Sequence, residues 1–114
     1  MEEKNTLCIL WSNPDVHTGL YIVMMYAKNS LLRGWWEHVT VIIWGGTAKL
    51  AAGNAAIQEE MKVAQNVGVK FSACVACARQ LGVVSQLEAL GIEVIPWGTP
   101  LTEILKNNEK LLTV

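Results

Sequence analysis

The sequence predicts an α/β domain over residues 1–114: a three-layer α/β/α sandwich around a mostly parallel sheet of about five strands. Three observations carry this reading. Four short apolar runs share one form, each ending in a loop: "TLCILW" before "SNPD", "VTVIIW" before "GGT", "VKFSA" before "CVAC" and "IEVIPW" before "GTP". Helical patterns separate them. The runs are nearly all apolar rather than alternating, as in parallel strands covered on both faces.

The first run opens into a loop where Asp15 or Thr18 can cap a helix. That helix buries Leu20, Val23, Met24, Ala27 and Leu31 along one side, and Gly34 stops it. After the second run, the glycines of "GGTAKLAAG" read as loop punctuation. "AAIQEEMKVAQNVG" then places Ala56, Ile57, Met61, Val63 and Ala64 near one face, and a glycine again ends the helix. The third helical stretch is shorter, running through "CARQLG" and "SQLEALG". "TPLTEILKN" is the fourth, with Thr99 as its cap and Pro100 at the first helical position. "KLLTV" is a last short strand. Nothing in these patterns encodes the order of the strands.

A chain of 114 residues makes one domain, long enough to bury a real core. With 52% hydrophobic and 17% charged residues, it is not a disordered chain, and it has apolar surface to spare for a subunit interface. The net charge is −1 and the Lys and Arg residues are scattered, so no basic stripe is offered to nucleic acid or to an anionic membrane. "MEEKN" is acidic where a signal peptide would be basic, and "LYIVMMYA" and "VTVIIW" fall far short of the roughly 18 residues of a membrane span. The expected location is the cytoplasm, where three cysteines are thiols rather than a disulfide framework.

Ligands of such sheets bind beyond the carboxyl ends of the strands, at the topological switch point. Trp11, Trp44 and Trp97 end strands one, two and four, and Cys74 ends strand three, so all four share one edge. The tryptophans read first as a capped core or subunit contact and second as a ligand cage. Either way Cys74 has apolar walls. Asn13, Asp15 and His17 on the first loop, with Trp44, Gly45 and Trp97, are the candidate binding residues.

Cys8 lies mid-strand and reads as a small hydrophobe. Cys74 and Cys77 sit where a strand hands over to a helix, a position whose dipole favours thiolate, and Arg79 is close in sequence. They can be an inert core pair or a reactive one. Zinc fits poorly, because one C-x-x-C supplies two ligands and the remaining candidates are Cys8, His17 and His38, with His38 at the opposite edge of the sheet. A thioredoxin-type dithiol would need a mixed sheet and a cis-proline loop. Neither G-x-G-x-x-G nor G-x-x-x-x-G-K-[ST] is present, so no nucleotide, cofactor or metal is expected.

From "VTVIIWGG" through "GVKFSACVACARQLGV" to "LGIEVIPWG", the chain resembles the DsrE/DsrF/TusD family of sulfur-relay proteins, including its YchN-like members. The likeness covers nearly the whole length. It implies one DsrE-like domain with a flavodoxin-like sheet, assembled as a dimer, trimer or hexamer. It also implies that Cys74 accepts sulfane sulfur as a persulfide from a donor protein and passes it to an acceptor. Cys77 would then match the second cysteine of some members, and could resolve the Cys74 persulfide as a disulfide. "RQLG" stands where Arg-Arg-Gly often follows the family's cysteine. The alternative is an oligomeric small-ligand-binding module of the same fold without catalytic activity.

Overall fold

The computed structural model describes residues 5–114; residues 1–4, the start of the "MEEKN" stretch, lie outside them. Strands β1 (Thr6–Trp11), β2 (His38–Ile43), β3 (Lys70–Cys74), β4 (Glu93–Ile95) and β5 (Leu111–Thr113) form one sheet in the order β4-β3-β2-β1-β5. Every pairing is parallel. The expected α/β/α sandwich is therefore found, with a sheet that is fully rather than mostly parallel.

The strand order determines where the helices lie. From β1 to β4 each step moves the same way across the sheet. Right-handed crossovers then put every connecting helix on one face. These are α1 (residues 16–32), α2 (Thr47–Gly53), α3 (Ala55–Val67), α4 (Val75–Gln80) and α5 (Val84–Ala89). The step from β4 back past β1 to β5 runs in the opposite direction, so among the described residues α6 (Gly98–Lys106) is the helix that covers the second face. Two cores result. The larger holds Ile9, Trp11, Val41, Ile43 and Phe71 against Met24, Ile57, Met61 and Leu87. The smaller holds Ile42, Cys74, Trp97 and Ile104, flanked by Cys8, Leu10, Trp44 and Cys77.

Asp15 is the first helix cap, its carboxylate accepting from the Thr18 amide at 2.9 Å. Inside α1, Gly19–Met24 is wound as π-helix. This stretch starts at Gly19, where an added Cβ would come within 2.9 Å of both the Trp11 ring and Ile57 Cδ1. Only a glycine lets the helix backbone rest on the indole. Val23, Met24 and Ala27 are buried as expected, whereas Leu20 and Leu31 are half-buried.

Three local expectations are corrected. "TAKLAAG" is helix α2, not loop: its alanines Ala48 and Ala51 pack fully buried on the sheet, and Asn54 breaks the helix and caps α3 through the Ile57 amide. On α3, Ala56 and Val63 face solvent, because the buried stripe follows Ile57, Met61 and Ala64 at i, i+4, i+7. α6 begins at Gly98, so Thr99 lies inside it rather than capping it, and Pro100 is its third residue. Pro100 is still within the first turn, where its missing N–H has no acceptor to lose.

Among the described residues, no helix is long and apolar enough to cross a membrane.

Candidate functional site

β3 is buried along Phe71–Cys74 and ends at Cys74, whose Cα pairs with Ile95 of β4. Cys74 keeps extended backbone angles (φ −70°, ψ 119°) and the next residue starts α4. One helical turn then brings Cys77 back over the strand end, since residues three apart share a helix face. Both are free thiols, and Cys77 packs against the small core that holds Cys74.

Their surroundings differ sharply. Cys74 is 6% exposed and packs in the smaller core with Ile42, Trp97 and Ile104. Trp97, in the same core, is held in place: its indole N–H donates to Ser72 Oγ at 2.7 Å, and that hydroxyl donates to Glu93 Oε1 at 2.9 Å. Cys77 is half-buried and lines a shallow groove of about 410 Å³ with Gly45, Gly46, Ala76, Gln80 and Leu81. None of those side chains is charged.

The turn after β2 reaches the same spot. Gly45 adopts φ +71°, a left-handed conformation suited to glycine, and its N–H donates to Cys77 Sγ at 3.2 Å. Thr47, fully buried, holds this turn in place. Its hydroxyl donates to the Trp11 carbonyl at 2.8 Å, lies 3.0 Å from the Trp44 carbonyl, and accepts from the Trp44 amide at 3.1 Å. Thr47 thus ties the ends of β1 and β2 to the glycine turn that touches Cys77.

Burial pushes the Cys77 thiol up from its ordinary value; the Gly45 N–H pulls it down, and neighbouring Cys74 adds to the rise. The thiolate is the reacting form, so a raised pKa keeps reactivity climbing with pH. Alkylation of Cys77 by iodoacetamide should therefore rise about tenfold per pH unit and not level off below pH 9.0. A plateau between pH 7 and 8 in peptide-resolved alkylation rates would contradict this.

The other sequence candidates divide. Gly45 and Trp44 are at the site, with Trp44 half-buried against the smaller core. Trp97 lies against Cys74 but is only 8% exposed, and Trp11 is fully buried, its indole N–H donating to the Asn13 carbonyl at 3.1 Å. These two tryptophans are core residues. Asn13, Asp15 and His17 are exposed and engaged locally: Asn13 Oδ1 accepts from the Asp15 amide, Asp15 caps α1, and His17 stacks on Tyr21 with ring centroids 5.9 Å apart. None of the three lines the groove beside Cys77. Arg79 is exposed in the last turn of α4.

The strand order also corrects the location of the switch point. It falls between β1 and β5, and there the chain itself fills the crevice: Ser12 and Asn13 amides donate to the Val114 carbonyl at 2.7 and 3.2 Å. The cysteines lie on the other side of β1, at the ends of β2 and β3. Thr47 and Ser72 were not singled out in the sequence. Ser72, a hydroxyl inside an apolar strand, was the available signal for the latter. Among the described residues, no three His, Cys, Asp or Glu side chains gather as metal ligands would.

Among solved structures, the chain is similar to BT1422 from Bacteroides thetaiotaomicron, a conserved protein of unknown function. The two are 40% identical over 100% of this chain and 98% of that one, with a TM-score of 0.97. It is also similar to the ychN protein from E. coli, at 15% identity over 96% of this chain and 98% of that one, with a TM-score of 0.66. The fold is YchN-like. No protein-family model and no curated protein matches the chain.

Proposed function

The chain belongs to the family of the Bacteroides thetaiotaomicron protein BT1422, whose function is unknown, and we propose from its own residues that it handles sulfane sulfur at the Cys74–Cys77 pair. The observation that carries this is the pairing itself. Two free thiols share one strand end, one buried in a small apolar core and the other packed against that core and opening on a groove with a backbone N–H on its sulfur. Thiolate attack on a sulfane sulfur needs an accessible thiol and no metal. The resemblance to the DsrE/DsrF/TusD sulfur-relay proteins agrees with this chemistry, and the YchN-like fold is compatible with it. The ligand-binding alternative has less support, because Trp11 and Trp97 are buried with their indole N–H groups already bonded.

Self-association, a sulfur donor or acceptor protein, and a cytoplasmic location belong to the same proposal. Tyr21, Ile22, Met25 and Trp35, between 45% and 60% exposed, gather with Leu112 around one shallow groove. Copies of one chain commonly bury such an apolar face against each other. A reducing compartment would keep all three cysteines as thiols.

The test is exposure of the reduced protein to cysteine persulfide, followed by intact mass and hydrosulfide measurement. The parent should gain one sulfur atom or release hydrosulfide while forming a disulfide, and the Cys74→Ala/Cys77→Ser double variant should do neither. A parent that does neither refutes the sulfur-handling function.

A further inference from the structure

We propose that Cys77, rather than Cys74, is the thiol that takes up sulfur, and that Cys74 resolves it from the core side. This rests on the sulfur-handling reading above and divides its chemistry between two residues that the sequence motif ranks the other way. Position on the strand end favours Cys74. The surroundings of the two sulfurs favour Cys77.

Three observations bear on this, each independent of the motif. A donor must bring its sulfane sulfur to the attacking thiolate along the line of the S–S bond it breaks. Cys74, 6% exposed and enclosed by Ile42, Trp97 and Ile104, has no such approach, whereas Cys77 lines the groove. The second observation is the Gly45 N–H at 3.2 Å from Cys77 Sγ, a donor aimed at the atom that carries negative charge as thiolate. Third, Trp97, in the same small core as Cys74, is held by its bond to Ser72, so loosening that core around Cys74 breaks a buried 2.7 Å hydrogen bond.

The reaction balances as follows. The Cys77 thiolate attacks the outer sulfur of a persulfide R–S–S–H. The donor's S–S bond breaks, R–S⁻ leaves with the electron pair, and Cys77 carries –S–S–H; there is no net oxidation of the protein. Cys74 then loses its proton to solvent and its thiolate attacks the Cys77 Sγ. A Cys74–Cys77 disulfide forms and hydrosulfide leaves, the sulfane sulfur taking up the two electrons that the two thiols give. Another cycle requires an external dithiol of the thioredoxin class to reduce that disulfide. The groove around Cys77 has no charged side chain, so the part of the donor next to its persulfide meets only Gly45, Gly46, Ala76, Leu81 and the amide of Gln80.

The experiment treats the parent, Cys74→Ala, Cys77→Ser and Cys77→Ala with cysteine persulfide. Iodoacetamide then traps the products and peptide mass spectrometry locates the added sulfur. Cys77→Ser keeps a small acceptor for the Gly45 N–H and guards against loss of fold, which circular dichroism checks for all four. Cys74→Ala should hold one sulfur on Cys77 and release at least tenfold less hydrosulfide than the parent. Both Cys77 variants should gain none. Sulfur found on Cys74 in the folded Cys77 variants overturns the division of roles and leaves the sulfur-handling function intact. A parent that neither gains sulfur nor releases hydrosulfide removes both.

Discussion

Trp11→Ala is expected to lower stability by about 3–5 kcal/mol, the range for emptying a buried aromatic site. Trp11 ends β1 with no exposed surface, and the backbone of α1 rests on its ring at Gly19. The helix cannot collapse into the vacated space without unwinding its π-helical stretch, so the cavity persists and the cost falls at the upper end. The indole bond to the Asn13 carbonyl is lost as well. Against a typical total of about 5–15 kcal/mol, this removes roughly a fifth or more of the stability. It should appear as a fall in Tm of roughly 10–20 °C, with a lower denaturant midpoint at unchanged slope. A fall of less than about 1 kcal/mol would mean that α1 does not depend on this contact.

Thr47→Val should cost about 1–3 kcal/mol although the two side chains have nearly the same shape. The hydroxyl serves the Trp11 carbonyl and the Trp44 amide in a site without solvent, and valine leaves both short of a partner. The Trp11 carbonyl keeps the Trp44 amide at 3.2 Å, which holds the loss below that of two orphaned groups. Thr47→Ser retains the hydroxyl and should recover more than half of the difference. Denaturation of the three proteins, with hydrogen exchange at the Trp44 amide, separates the lost hydrogen bonds from lost packing. Equal stability of the valine and serine variants would show that the hydroxyl does not hold the turn.

Much of the fold was legible because it is written in short-range patterns. The four apolar runs fall on β1 to β4, and the Asp15 cap forms as its side chain predicts. Helix α2 was hidden because its glycines mark turns elsewhere, while Ala48 and Ala51 pack without the large residues that reveal an apolar stripe. Strand order was not legible. The four-residue loop "SNPD" says nothing about which side of β1 will receive β5, and the switch point moved accordingly. At the site, the motif identified the strand end that carries both thiols but not their accessibility. That depends on Trp97 bending back to Ser72, two residues before Cys74, and on Gly45 approaching from another strand. Such contacts between distant segments leave no spacing to read.

The pairing of β1 with both β2 and β5 has a consequence for the order of assembly. β1 meets β2 across one helical connection, but its other edge waits for Leu111–Thr113, and 102 positions separate Ser12 from its partner Val114. Contacts between neighbouring units form early, whereas closing a long loop follows only once its ends are restrained. During synthesis, β1 to β4 can fold stepwise, leaving one edge of β1 unpaired until the final strand emerges. The cysteine turn, made by the ends of β2 and β3, belongs to the early part. β5 covers the edge of the six-residue β1 and leaves in its place an edge strand of three residues, too short to offer other chains much to pair with.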